Sequence, residues 1–345
     1  MSQEQTGPER LIVIGGSAGS IEVLCGLVGG LPADLPAAVL IAIHISPENR
    51  SRLPQILGRS GLLPAQHAVE GEAILAGRVY VAPPDHHLLV GPGHLHLSRG
   101  PRENGHRPAI DPLFRSAAHF YRHAVTGVVL SGGADDGSSG VVAIKKNGGT
   151  SIAQNPKEAI HPRMPQSAIE TGMVDAVLSM PELVKYLVDR TVPVVAAVPD
   201  LKSEDPAHQD NMKLPPDDPV GDPSQYTCPE CHGTLFEVQS EHVNRFRCRI
   251  GHAYSEKSLE AEQAGTVETT LWTAVRALEE RAALLYDLAD RMRRRNIEGS
   301  AVRMEGQAEE AQRGAGQIRQ LISQGSLSVL DHDEAGLAPE DQSAG

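Results

Sequence analysis

The residues whose types and spacing can do chemistry fall into two groups. Ser17 stands in Gly15-Gly16-Ser17-Ala18-Gly19, a G-x-S-x-G turn, while His44 stands in "IAIHISP" and Asp135 and Asp136 in "LSGGADDGSSG". A serine hydroxyl is a weak nucleophile at neutral pH and needs a base within hydrogen-bond reach, with a third group to orient that base. Ser, His and Asp are those three types. The second group is Cys228, Cys231, Cys248 and His252, a C-x-x-C knuckle followed by C-x3-H across a hairpin-like stretch. This is the spacing of a tetrahedral Cys3His zinc site, closed to substrate, so the metal would fold its module and take no part in a reaction. A redox dithiol would need a thioredoxin-like βαβ context, and none surrounds Cys228. His232 is a spare ligand, and Cys25 falls on the apolar side of a helix as a core residue.

The elements that must position the first group can be read from apolar runs. Runs at 11–14, 39–43, 125–130, 150–153 and 174–178 alternate with helical segments between residue 10 and about 197, the signature of a parallel α/β sheet. In such a sheet the loops at the carboxyl ends of the strands converge on one crevice. Ser17 follows the first run, His44 the second and Asp135 and Asp136 the third. Peptide N–H groups of the two glycine-rich turns are then candidates for an oxyanion hole. The turn alone reads equally as a phosphate loop or a plain structural turn. The dinucleotide fingerprint fails, because Ser17 takes the place of its second glycine and the next run ends in His44 where an acid should meet a ribose. The order Ser, His, Asp also differs from that of the α/β-hydrolases, where the acid precedes the histidine.

The remaining chain supplies smaller parts. Residues 66–98 hold short strands broken by Pro and Gly, expected as a β-rich excursion flanking the sheet. His86, His87, His94 and His96 there, beside Asp85, admit a metal reading against the plainer one of a solvated or locally hydrogen-bonded face. The expected layout is a catalytic domain at 8–197, a Pro/Asp-rich linker at 198–224, a zinc-ribbon-like module at 225–255, a helical segment at 256–324 and a disordered acidic tail at 325–345. Leu271, Ala274, Leu278, Leu285, Leu288 and Met292 keep near-heptad spacing interrupted at Arg281. They predict a helix that packs on the one containing Ala311, Ile318 and Leu321 as a hairpin, or on a partner. The fold class is thus α/β, a doubly wound and mostly parallel sheet, with a small zinc-ribbon-like module and a C-terminal helical hairpin.

Composition narrows the setting. The 345 residues carry a formal net charge of −13, which argues against nucleic acid as the main partner. Nothing is apolar for long enough to insert in a membrane, and the N-terminus lacks the basic-then-apolar layout of a signal peptide. A cytoplasmic location is expected, and in that reducing setting the four cysteines read as thiols or metal ligands.

Taken in order, "IGGSAGS", "IAIHISP", "VYVAPPDHHLLV", "PAIDPLFRSAA", "LSGGADDGSSG", "TSIAQNPKEAIHPRMPQSAI" and "GMVDAVLS" resemble the catalytic domain of the chemotaxis protein-glutamate methylesterases, over about residues 10–190. The resemblance implies a serine hydrolase that demethylates glutamyl methyl esters on chemoreceptor-type proteins and can deamidate receptor glutamines, with no cofactor for catalysis. It makes Ser17 the nucleophile, His44 the base and Asp136 the acid, since Asp136 immediately precedes Gly137. Gly133 falls where a family methionine lends its backbone N–H to the oxyanion, and Ala18 on the other turn is the second candidate donor. Ala18 replaces a usual threonine, Ala134 a glycine, and Ile45-Ser46-Pro47 a Met-Pro. Family members usually begin with a receiver domain. Here the first catalytic strand opens the chain, so regulation through its own receiver is not expected. The C-terminal helices are expected to serve docking, to a chemotaxis methyltransferase or another signalling protein. Two further readings stand beside this one: a non-catalytic regulatory or binding module of a chemosensory system, and a serine esterase acting on small esters.

Overall fold

Every residue of β1 (Leu11–Gly16) is buried, which a strand achieves only where helices cover both faces of its sheet. The computed structural model describes residues 8–47, 51–191, 221–238 and 242–324. After β1 come α1 (Ser20–Gly29), β2 (Ala38–Ile43), α2 (Leu53–Ser60), β3 (Ala65–His67), β4 (Val79–Val81), β5 (His87–Val90), β6 (Leu95–Ser98), α3 (Ile110–Tyr121), β7 (Val125–Val129), α4 (Ser138–Lys146), β8 (Thr150–Gln154), α5 (Arg163–Glu170), β9 (Ala176–Leu178) and α6 (Met180–Thr191). Seven strands form one parallel sheet in the order β3-β4-β2-β1-β7-β8-β9. Alternate residues of β1 feed separate cores. Leu11 and Val13 pack with Phe114, Val141 and Ile144, and Ile12 and Ile14 with Leu24, Leu27, Leu57 and Leu187.

The chain leaves β1 toward β2 on one side and re-enters at β7 on the other. Strand order therefore reverses between β1 and β7, the position where such sheets open a crevice at their carboxyl ends. One expectation needs correction. The stretch 66–98 is only partly an excursion: β3 and β4 extend the main sheet beside β2, and only the β5–β6 hairpin lies outside it. Three-residue strands are too short to reveal a period, so the sequence could not separate the two cases.

Near the C-terminus, β10 (Asp222–Thr227), β11 (Thr234–Val238), β12 (Arg245–Cys248) and β13 (Ala253–Ser255) form a four-stranded antiparallel sheet. Asp222 and Pro223 pair with Glu237 and Phe236, so the boundary drawn at 224 moves back: these residues belong to the sheet and not to the linker. Residues 198–220 of that linker and the tail at 325–345 lie outside the described residues. Described residues up to Leu259, including the four-stranded sheet, group with the parallel sheet as one compact unit, and those from Glu260 form a second.

In the second unit, α7 (Glu256–Arg294, its first turn in the first unit) and α8 (Glu298–Ser323) pack along a seam of small residues. Val275, Ala282 and Ala289 are buried on α7, with Ala301, Ala308 and Ala315 on α8, both sets at seven-residue spacing. Of the residues expected at the seam, Ala311 is buried in it and Leu278 and Leu285 pack against it, while Leu321 is 51% exposed. No helix among the described residues is long and apolar enough to cross a membrane.

Candidate active site

The register of β1 and β2 brings the first two chemical side chains together. Gly16 pairs with Ile43, so Ser17 and His44 are neighbours one step beyond the ends of adjacent parallel strands, and His44 N donates to Gly16 O at 3.3 Å. Gly19, at φ 74°, caps α1 in the left-handed region. A Cβ there would come within 2.7 Å of Ile160 Cβ, so only glycine closes this turn. The turn is tied to the loop after β7. Ser17 N donates to Ser131 O at 2.9 Å, and Ser131 Oγ to Ala18 O at 2.8 Å.

His44 Nε2 is hydrogen-bonded to Asp136 Oδ2 at 2.7 Å, with Asp136 fully buried and the imidazole 6% exposed. Three more donors reach the same carboxylate: Ile110 N at 2.6 Å and Asp111 N at 3.1 Å from the first turn of α3, and Asn104 Nδ2 at 2.9 Å. A helix N-terminus favours an anion through its free N–H groups and its dipole. Burial alone would raise the Asp136 carboxyl. The His44 bond and charge, the Ile110 amide and the Asn104 carboxamide outweigh it and hold the group below the usual carboxylate range. An ionised carboxylate only accepts hydrogen bonds, so Nε2 carries the ring proton, and Nδ1 is the nitrogen left to act as a base. No hydrogen bond joins Ser17 Oγ to His44 among the described residues; their relation is one of register at adjacent strand ends.

The support for Asp136 is reciprocal. Asp111, on α3, accepts Gly137 N at 3.1 Å and Gly140 N at 2.6 Å from the start of α4. Burial first, and the Asp136 charge second, push the Asp111 carboxyl upward. Close approach of α3 to the sheet requires Gly15, where a Cβ would lie 2.2 Å from Ile110 Cγ2.

Three residues on one turn complete the site and were not foreseen from the sequence. Glu103 and His106 exchange backbone hydrogen bonds of 2.9 and 3.2 Å around Asn104 and Gly105, whose φ values are 52° and 75°. Two successive positive φ values make this the primed turn that Asn-Gly favours. Asn104 Nδ2 bridges Asp136 and Asp111, the latter at 3.1 Å. The His106 ring stacks on His44, with centroids 3.6 Å apart and planes 26° from parallel. Burial, then the proximity of His44, pushes His106 down to about 4, so it is neutral at pH 7. The Asn-Gly pair was a legible turn signal, but nothing in it says where its carboxamide points.

The other candidates are placed as follows. Gly133 and Ala18 both lie exposed beside the crevice, on the β7 and β1 loops. Asp135 accepts Ser255 Oγ at 2.7 Å and Ser258 Oγ at 2.6 Å, while the His44 ring pairs with Asp136. Each of the four histidines of 86–96 has a hydrogen-bond partner: His86 with Pro84 O and His94 with Pro92 O nearby in the chain, His87 with Pro101 O and His96 with Glu70 farther off.

Among the described residues, Cys228, Cys231, Cys248 and His252 form the one group able to hold a metal ion, with ligand atoms all within 4.8 Å of one another. Cys228 Sγ and Cys248 Sγ lie 3.6 and 3.5 Å from His252 Nδ1, and Cys231 Sγ lies 3.6 Å from Cys248 Sγ. Tetrahedral coordination with Zn–S of about 2.3 Å and Zn–N of about 2.0 Å sets ligands roughly 3.5–3.8 Å apart, so the donor set fits. His252 Nε2 is 3.2 Å from Glu230 Oε2, the carboxylate partner that fixes a ligating imidazole. His232 takes a positive φ of 57° in the knuckle and stays outside the group.

Comparison with known proteins gives a consistent picture. The profile of the family described as CheB methylesterase matches residues 12–187. The protein-glutamate methylesterase/protein-glutamine glutaminase 2 of Caulobacter vibrioides is 38% identical over 194 residues, covering 55% of this chain and 56% of its own length. The corresponding protein of Paraburkholderia xenovorans is 38% identical over 186 residues, covering 53% and 51%. The chain thus spans about half the length of the curated relatives it matches. The crystal structure of the Thermotoga maritima CheB methylesterase catalytic domain superposes with a TM-score of 0.51 at 31% identity, covering 54% of this chain and 99% of that one.

Proposed function

The chain belongs to the CheB methylesterase family, and from that membership and the geometry above we infer that it is a serine hydrolase acting on the methyl esters of protein glutamates. The observation that carries the reading is the 2.7 Å bond of His44 to a fully buried Asp136, with Ser17 at the neighbouring strand end. In this mechanism His44 Nδ1 takes the Ser17 proton as the oxygen attacks the ester carbonyl, and Asp136 stabilises the imidazolium that forms. The amides of Gly133 and Ala18 receive the developing oxyanion. The imidazolium then protonates the departing methoxide, giving methanol. Water, deprotonated by the same base, releases the glutamate carboxylate from the acyl-enzyme. With a primary amide in place of the ester, Ser17 attacks the amide carbonyl, His44 protonates the departing ammonia, and hydrolysis of the same acyl-enzyme completes glutamine deamidation.

The substrates are methylated chemoreceptor-type proteins in the cytoplasm, and the C-terminal helices dock a signalling protein such as a chemotaxis methyltransferase. Cys228 and Cys231 after β10, with Cys248 at the end of β12 and His252 before β13, would hold zinc, which would supply structural stability to the module and no chemistry to the ester. Incubation with methyl-labelled receptor membranes tests the assignment: the protein should release labelled methanol, and Ser17→Ala should release none above background. Equal release by both would overturn it.

A further inference from the structure

The four-stranded Cys/His sheet docks on the turn that carries Asn104. Asn104 N donates to Ala253 O at 2.7 Å, and Ala253 N to Arg102 O at 3.3 Å, so β13 pairs with the turn as a parallel bridge at Glu103. Ser255 N then donates to Asn104 Oδ1 at 3.0 Å. The carboxamide is thereby held at both ends, its oxygen by β13 and its nitrogen by Asp136 and Asp111. Glu103, on the same turn, joins Arg245 of β12 at 3.0 Å and Arg115 of α3 at 2.7 Å. Asp135, next to Asp136, is held by Ser255 and Ser258. The ligand set lies at the root of these contacts. His252 immediately precedes Ala253, and Cys248 N donates to His252 O at 3.0 Å.

We propose that Asn104 is a positioning residue for Asp136, and that the Cys3His module, by pairing β13 with the Asn104 turn, is a working part of the active site. This rests on the roles given to His44 and Asp136 above. A continuous path runs from the metal ligand His252 through β13 and the Asn104 carboxamide to Asp136 and the imidazole. Metal binding orders β13, β13 fixes the carboxamide, and the carboxamide fixes the carboxylate that orients His44. The module thus makes hydrolysis conditional on an intact ligand set. A chelated or oxidised Cys/His cluster leaves Ser17 in place and a misaligned base.

Two perturbations of the full-length protein test this. Asn104→Gly keeps the left-handed backbone and removes only the carboxamide. It should lower kcat by about 10- to 100-fold with KM within about twofold, at unchanged metal content. It should also move the acidic limb of the pH profile upward, because Asp136 with one donor fewer is more basic and holds a proton on His44 more firmly. Stripping the metal with a chelator should reproduce these changes in the unsubstituted protein and accelerate amide hydrogen exchange at Ile110 and Asp111, while Zn²⁺ re-addition reverses both. In Asn104→Gly, stripping should add little further loss of kcat. The proposal is overturned by wild-type kcat and pH profile in Asn104→Gly. It is equally overturned if the Ile110 and Asp111 amides exchange as slowly without metal as with it. A protein that hydrolyses no methyl ester would remove the hydrolase reading alone, since the exchange measurement still reads the coupling.

Discussion

At the scale of single residues, the site depends on holding one imidazole in one orientation. His44 is fixed along its Nε2 edge by Asp136 and across its face by His106. Since burial keeps His106 neutral, the stack adds no positive charge against an imidazolium on His44. His106→Phe, which preserves a flat neutral face, should therefore retain kcat within about threefold, while His106→Ala should lose about tenfold or more, measured on any methyl-ester substrate. Loss of the same size in both variants would contradict the stacking role. Asp136→Asn keeps the shape and removes the charge, and should lower kcat by about 10⁴-fold. Of these residues, Ser17, His44 and Asp136 stand out in the sequence because a serine in a glycine-rich turn, a histidine and an acid are chemically distinctive types at strand ends. Asn104, His106 and Asp111 do not, because a turn former, a lone histidine and an acid in a helix's first turn have commoner reasons to be where they are. What distinguishes them is proximity across distances in the chain that no local pattern encodes.

At the scale of elements, approach distances decide the arrangement. Gly15 lets α3 lie against β1, and α3 presents the Ile110 amide to Asp136. Gly15→Ala should force that helix outward, costing about 1–3 kcal/mol of stability in denaturant unfolding and lowering kcat as well. The Glu103 cluster links α3 to β12. Burial would raise its carboxyl, but Arg115 and Arg245 outweigh burial and hold it at about 2. An acid whose folded value is depressed stabilises the fold above its unfolded value, roughly 4.3, and that contribution is lost as pH falls from there toward the folded value. It amounts to about 3 kcal/mol. Unfolding free energies at pH 6 should separate the unsubstituted protein from Glu103→Gln, and the gap should narrow at pH 3; an equal gap at both would contradict the ion cluster. In the second unit the alanine seam brings α7 and α8 close, and Ala282→Leu should cost about 1–3 kcal/mol, read from the helical melting transition. Element type was legible from apolar runs. The hairpin was legible too, with Leu278, Leu285 and Ala311 in it; the alanines at its centre were not, because leucines outweigh them in any hydrophobicity pattern although small residues permit the closest packing.

At the scale of the whole molecule, two regions far apart in sequence converge on one carboxylate. Ser17, His44 and Asp136 come from three strands whose order is dictated by the doubly wound sheet. Asn104 links them to a sheet formed about 120 residues later in the chain. The parallel sheet and the Cys/His spacing were both evident from sequence, because each is written in local patterns. Their union was not, since the polar contacts between them involve a backbone edge, two serines, an asparagine and the Glu103–Arg245 pair, whose spacing carries no motif. The central claim is that Ser17 is a nucleophile made reactive by His44 and Asp136, and labelling with a fluorophosphonate followed by peptide mass mapping tests it without knowledge of the substrate. The account predicts one covalent adduct, on Ser17, formed at a rate that falls by orders of magnitude in His44→Gln and Asp136→Asn. An unlabelled Ser17, or labelling at the same rate in both variants, would contradict it.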